Sequence, residues 1–125
     1  MTKVEQYLID LTLSYREIGE NLWLIEDSEH DLESVAVAYT DPLVIIRTVV
    51  MNTPDENKLE LYTKLLELNA KDVVHGAYAL DENQIILVDT LEYDTMDKSE
   101  FRATLDAFIM AIVQHYPILS AYRNQ

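Results

Sequence analysis

The residues able to carry acid–base chemistry are three histidines and a large set of carboxylates, and the chain has no cysteine. A general acid or base needs surroundings that shift its pKa. Asp89, which ends an apolar run, and His75, which follows two valines, are the positions with apolar neighbours. For both we favour a structural reading: Asp89 bonds neighbouring backbone at a strand end, and His75 is a half-buried strand residue.

Two groups of acidic residues are candidate metal ligands. Asp27, Glu29 and Asp31 alternate as at the start of a calcium loop, but Leu32 and Ala38 stand where that loop needs glycine and glutamate. We predict a solvated turn that includes His30, and no metal site. The second group is predicted to be an exposed loop whose last member caps a helix; its members are Asp89, Glu92, Asp94 and Asp97.

Nucleophilic and phosphate-binding sites find no support in the sequence. The only glycines are Gly19 and Gly76, so neither a Gly-x-Ser-x-Gly elbow nor a glycine-rich phosphate loop can form. His115 is predicted to end the last helix, where the helix dipole favours its cationic form. We therefore predict that the protein is not an enzyme and uses no cofactor.

Length and charge define the kind of molecule. The chain has 125 residues, 49% of them hydrophobic, which predicts one folded domain over residues 1–125. The net charge of −14 argues against a nucleic-acid partner and against an anionic membrane surface. Glu5 and Asp10 interrupt the N-terminal sequence, so no signal peptide is predicted. We expect a cytoplasmic protein.

Periodicity predicts an α+β domain in the order α-β-β-β-α-β-β-α, with helices packed on an antiparallel sheet. Apolar residues spaced three and four positions apart predict the helices, and alternating apolar and polar residues predict the strands. The first and last helices are capped by Thr2 and Asp97, and Pro117 ends the last one. The helices are predicted at residues 2–18, 55–69 and 98–114, and the strands at 22–25, 35–39, 44–51, 73–80 and 84–91.

The helix at 55–69 is apolar on more than one side. A helix of this kind needs two partners. One is the sheet, and the other is either another helix of the same domain or a second copy of the protein. Its apolar residues are Leu59, Leu61, Tyr62, Leu65, Leu66 and Leu68.

Three runs of sequence resemble the YbjN family, which is related in fold to the type III secretion chaperones that include the Tir chaperone. The runs are residues 65–70, 76–81 and 85–91. They match a helix ending in Leu-x-x-Asn, a small-residue strand with glycine, and an aliphatic strand after a hairpin. The spacing of Phe101, Leu105 and Phe108 extends the likeness, which covers most of the chain.

The resemblance implies a homodimeric, chaperone-like protein that holds an extended segment of a client without ATP. Such a protein offers backbone hydrogen bonds at a strand edge and apolar pockets beside it. We predict a protein client or regulatory partner. The predicted dimer contact is Leu61, Leu65 and Leu68, and the predicted client groove is lined by Leu22, Leu24 and Tyr39.

Two alternatives remain open. The first is a regulatory domain that binds a small ligand between helix and sheet. The second is an enzyme that uses Asp89 or His75.

Overall fold

The computed structural model describes residues 1–123 and has three helices and one six-stranded antiparallel sheet. The helices are α1 (Lys3–Asp10), α2 (Lys58–Lys71) and α3 (Lys98–Ser120). The strands are β1 (Tyr15–Gly19), β2 (Leu22–Asp27), β3 (Leu32–Thr40), β4 (Leu43–Asn52), β5 (Ala77–Asp81) and β6 (Gln84–Glu92). The predicted α+β class and antiparallel sheet are confirmed.

The strands lie in the spatial order β1-β2-β3-β4-β6-β5. β1 to β4 form a meander because each is joined to the next by a short turn. β6 pairs with the long central strand β4, and β5 lies outside it as an edge strand. The sheet therefore has two edges, β1 on one side and β5 on the other.

One face of the sheet holds the core. Side chains that oppose one another across the strands lie on the same face. Trp23, Val37 and Ile46 form such a row and are buried. The helices cover this face with Val4 and Leu8 of α1 and Leu105 and Phe108 of α3, among others. The opposite face is open.

The first helix is shorter than the sequence predicts. The expectation of a helix over residues 2–18 is wrong beyond Asp10, because Thr12 takes a left-handed φ of 54° that ends the helical turn. Residues 15–19 instead form β1, which pairs with β2. The observed order is thus α-β-β-β-β-α-β-β-α, one strand more than predicted.

The boundaries of two further helices also differ. α2 begins at Lys58 rather than at residue 55. α3 continues through Pro117 to Ser120, so the prediction that this proline ends the helix is wrong. Pro117 lies in the last turn, and burial of Leu119 against the core stabilises the turn beyond it. The predicted caps are confirmed: Thr2 accepts from the Glu5 N–H, and Asp97 from the Glu100 N–H.

No helix within residues 1–123 combines the length and the apolar character that a membrane span requires.

Candidate functional site

The two acid–base candidates from the sequence lie in different settings. Asp89 faces the helices opposite Ile46, where one oxygen accepts from the Thr104 hydroxyl at 2.9 Å and the other from the Thr90 N–H at 2.9 Å. His75 was predicted inside a strand, but it lies exposed in the connection before β5. Within the described residues no hydrogen bond or ion pair joins the two. Asp89 therefore acts as a link between β6 and α3.

Asp27 holds the start of β1 in place. Its buried carboxylate accepts from the Ser14 N–H at 2.7 Å and from the His30 N–H at 3.2 Å, and it pairs with His30 Nδ1 at 2.9 Å. The Ser14 hydrogen bond, and then the His30 side chain, hold the pKa of Asp27 below its usual 3.8. Over residues 1–123 no group of three or more histidine, aspartate and glutamate side chains is arranged to hold a metal ion.

We expect Asp27→Asn to make the stability of the protein depend less on pH in acidic solution. Because folding lowers the pKa of Asp27, the charged form stabilises the fold above pH 3.8, and this contribution disappears as the pH falls below that value. The variant melts lower than the parent at neutral pH, and the difference shrinks below about pH 4. Melting curves from about pH 3 to about pH 7 measure this, with Glu29→Gln as the exposed control. A constant difference across that range would contradict the assignment.

His115 is buried in the C-terminal part of α3 and does not end the helix, which continues to Ser120, contrary to the sequence prediction. Its Nδ1 lies 2.7 Å from the Tyr78 hydroxyl. Burial raises the pKa of Tyr78, so the hydroxyl keeps its proton in this contact. The other ring nitrogen, Nε2, lies 3.4 Å from Asp72 Oδ2. These three side chains connect β5, α3 and the end of α2.

One edge of the sheet is capped from within the chain. The side-chain amide of Asn69 in α2 accepts from the Tyr78 N–H at 2.7 Å and donates to the Tyr78 carbonyl at 3.1 Å. Tyr78 is the second of the five residues of β5, and only every second residue of an edge strand points its backbone groups outward. Asn69 thereby blocks the addition of another strand at this position.

We expect Asn69→Leu to lower the free energy of unfolding by about 2–3 kcal/mol, because two backbone groups lose their partners. Asn69→Asp is the matched control, since it keeps the acceptor for the Tyr78 N–H and loses only the donor. Its loss is expected to be smaller. Urea unfolding of both variants checks the order, and equal stability of the parent and Asn69→Leu would contradict the capping role.

The opposite edge is open. Within residues 1–123 no strand pairs with the outer side of β1. The Glu26 N–H donates to the Ser14 carbonyl at 3.0 Å, which directs the backbone groups of residues 14 and 16 toward β2. By the same alternation, the N–H and C=O groups of Tyr15 and Glu17 point outward. An exposed row of this kind is a template for strand addition.

Beside the open edge lies the uncovered face of the sheet. Leu22 and Leu24 of β2 are half-buried on this face, next to the alanines at 36 and 38. Tyr39 lies on the other face, where its ring stacks on Tyr93 with centroids 4.1 Å apart. The structure thus brings two of the predicted client residues together and separates the third from them.

The predicted dimer residues lie beneath the surface of α2. Leu61, Leu65 and Leu68 are all buried against the chain's own core. The exposed leucines of the same helix are Leu59 and Leu66. Between α2 and β5 runs an apolar groove of about 210 Å³, named here the α2/β5 groove. It is lined by Tyr62, Leu65, Leu66, Asn69, Tyr78, Ala79, Leu80 and Ile85.

Comparison with known families identifies the architecture. The model of the CesT_Tir_1 family matches residues 1–125. The chain belongs to the CesT_Tir_1 family. A search of curated proteins finds no match.

Solved structures share this fold at low sequence identity. YbjN of E. coli, crystallised as a candidate transcription regulator, superposes with a TM-score of 0.67 at 16% identity, over 91% of this chain and 89% of YbjN. The Yersinia pestis type III secretion chaperone SycH, solved with a fragment of YscM2, gives 0.63 at 15% identity, over 88% and 93%. A chain of the ExsC–ExsE complex gives 0.60 at 12% identity, over 95% and 97%. The resemblance to YbjN and the secretion chaperones is confirmed.

Sequence reasoning missed the feature that distinguishes the two edges of this CesT_Tir_1 chain. The Leu-x-x-Asn ending of α2 was noted as a family likeness, but its structural role is the cap that Asn69 places on β5. The sequence pattern places the residues of β1 in a helix, so it gives no indication that β1 forms an open edge of the sheet. A signal for it was present in Gly19, Glu20 and Asn21, which are typical of a tight turn between two strands.

Proposed function

We propose that this CesT_Tir_1 protein is a non-enzymatic, homodimeric, chaperone-like module that holds an extended segment of a client protein without ATP. The observation that carries the proposal is the contrast between the two sheet edges, β5 capped by Asn69 and β1 open. An extended segment that pairs with β1 gains backbone hydrogen bonds whatever its sequence. Its alternate side chains then lie beside Leu22 and Leu24 on the uncovered face.

The neighbours in fold support a protein client. SycH was solved with a fragment of YscM2, and ExsC and ExsE were solved as a complex. Family membership supports a role without catalysis, as does the separation of Asp89 from His75, which no hydrogen bond or ion pair joins within residues 1–123. Neither the sequence nor the fold offers a glycine-rich phosphate loop, and this supports a mechanism without ATP.

The homodimer is proposed at the α2/β5 groove. Leu61, Leu65 and Leu68 hold α2 on its own core, and the exposed Leu59 and Leu66 meet the second copy. Exposed leucines beside an apolar groove are typical of a surface that a partner covers. A dimer at this surface leaves β1, at the other edge of the sheet, free for the client.

The variant Glu17→Pro tests client binding at β1. Proline removes the outward N–H of residue 17 and is tolerated on an edge strand whose N–H faces solvent. Glu17→Ala is the matched control, because it loses the same charge and keeps the N–H. We expect the proline variant to capture its client from native cells at least about tenfold more weakly than the alanine variant. Equal capture by two folded variants would contradict strand addition at β1.

A second candidate function rests on a cleft in the protein surface. It has a volume of about 350 Å³ between α1, β3 and α3, which lies within the size range of small-molecule sites. The cleft supports the alternative of a regulatory domain that binds a small ligand between helix and sheet. A thermal-shift screen tests it: a small ligand that raises the melting temperature by several degrees supports the alternative, and stabilisation by peptides alone contradicts it.

A further inference from the structure

The cleft between α1, β3 and α3 combines an apolar floor with a charged rim. Its floor is made of Leu11, Leu13, Leu32, Leu105 and Ile109. Its rim carries Asp10, His30, Asp31, Arg102 and Asp106. Leu13 lies two residues before the first residue of β1. The N-terminal end of the open edge therefore borders the cleft.

The carboxylates of the rim differ in how they are neutralised. Asp10 accepts from Lys98 at 3.5 Å, and Asp106 lies 3.7 Å from Arg102 on the surface of α3. Asp31 is exposed, and in the described part of the chain its carboxylate has no hydrogen bond or ion pair. The rim therefore keeps an excess of negative charge directly above an apolar floor.

The open edge of the sheet lies in the most acidic part of the sequence. Residues 1–40 hold two basic and nine acidic residues, which is half of the net charge of −14. The single basic residue of β1, Arg16, is already paired with Glu26 at 3.1 Å. An added strand at this edge therefore meets an excess of negative charge, and a basic segment is attracted where an acidic one is repelled.

We propose that the client segment held at β1 is basic and that it places a lysine or arginine side chain in the cleft. This inference rests on the proposed function and names the chemistry of the partner. The aliphatic stem of the side chain packs on Leu105 and Ile109, and the cationic group reaches Asp31 and Asp106. A long basic side chain satisfies an apolar floor and an acidic rim at once, which neither a leucine nor a glutamate does.

Two synthetic peptides of about ten residues, the length of a long strand, test the proposal. In one, valine alternates with lysine; in the other, glutamate replaces each lysine. We expect the lysine peptide to bind at least about tenfold more tightly than the glutamate peptide, and to weaken as the salt rises from about 0.05 to about 0.5 M.

Two double variants test whether the lysine peptide binds at the cleft. The double variant Asp31→Asn with Asp106→Asn is expected to weaken binding of the lysine peptide about tenfold. The double variant Glu67→Gln with Glu82→Gln loses the same charge far from the cleft and is expected to leave the affinity unchanged. Equal weakening by both pairs would show attraction to net charge alone and would overturn the cleft as the binding site.

The same titrations separate this inference from the proposed function. If both peptides bind the parent equally, and Glu17→Pro weakens both relative to Glu17→Ala, strand addition stands and the basic partner is overturned. If the lysine peptide binds Glu17→Pro and Glu17→Ala equally, strand addition at β1 is overturned. A parent protein that binds neither peptide overturns the basic partner, and the capture of the native client by the Glu17 variants then decides the function.

Discussion

Gly76→Ala is expected to destabilise the protein by about 2–5 kcal/mol, a large share of the stability of a domain of this size. Gly76 has a φ of +83°, which an L-residue adopts only with strain. A methyl group at this position would lie 2.7 Å from the Val88 carbonyl oxygen and 3.1 Å from the Phe108 ring. Backbone and a core aromatic ring cannot both move away without disturbing the packing of β6 and α3.

The second glycine of the chain supplies the control. A methyl group at Gly19 would meet only Leu22, at 3.6 Å, which is ordinary van der Waals contact. We expect Gly19→Ala to change the stability by no more than about 0.5 kcal/mol. Urea unfolding of both variants measures the difference, and a Gly76→Ala protein as stable as Gly19→Ala would refute the close packing at Gly76.

The close packing around Gly76 is a feature that the sequence does not reveal. The sequence shows a glycine before a strand of small residues, but it does not show that the strand's partner backbone lies against it. Asn69 is a similar case, because its partner Tyr78 is nine residues away and reaches it only after the chain turns back. Residues of this kind look ordinary in the sequence because their role depends on a contact made by the fold.

The long periodic elements were predictable from the sequence alone. β4 and β6 have continuous apolar runs, and α3 repeats its apolar positions over several turns, so burial and periodicity agree. The prediction missed β1 because Leu11, Tyr15 and Ile18 follow the spacing of a helix face. Only Leu11 and Tyr15 turn out to pack on the core, the first from the turn after α1 and the second from a strand. A short element leaves too few residues to distinguish the two periods.

The sequence indicated the type of site more readily than the positions of the residues that form it. Composition and the missing motifs pointed away from catalysis, and Leu22 and Leu24 lie on the uncovered face beside the open edge. Tyr39 was misplaced relative to them because Ala38, its neighbour in the chain, is the residue that pairs with Leu22, so Tyr39 lies on the other face, where its ring stacks on Tyr93. Which face a strand residue occupies depends on register, which the turn before it sets.

The leucines of α2 separate stability from self-association. Leu61 is 0% exposed, so Leu61→Ala is expected to cost about 2–5 kcal/mol of unfolding free energy. Leu59 is 82% exposed, and Leu59→Ala is expected to change the unfolding free energy by less than about 0.5 kcal/mol. Urea unfolding at low protein concentration checks this pair, because dimer dissociation then contributes little. Equal losses in the two variants would show that α2 packs on its core in another orientation.

Leu66 tests the proposed dimer without disturbing the core. It is 69% exposed beside the α2/β5 groove, so a charge is tolerated in a monomer and opposed in an apolar contact between copies. We expect Leu66→Asp to keep its unfolding free energy and to weaken self-association at least about tenfold in sedimentation experiments. Glu67→Gln, on the same helix, is the control expected to sediment as the parent does. A parent protein that sediments as a 14.5 kDa monomer would contradict the dimer, and an unchanged Leu66→Asp dimer would place the contact on another surface.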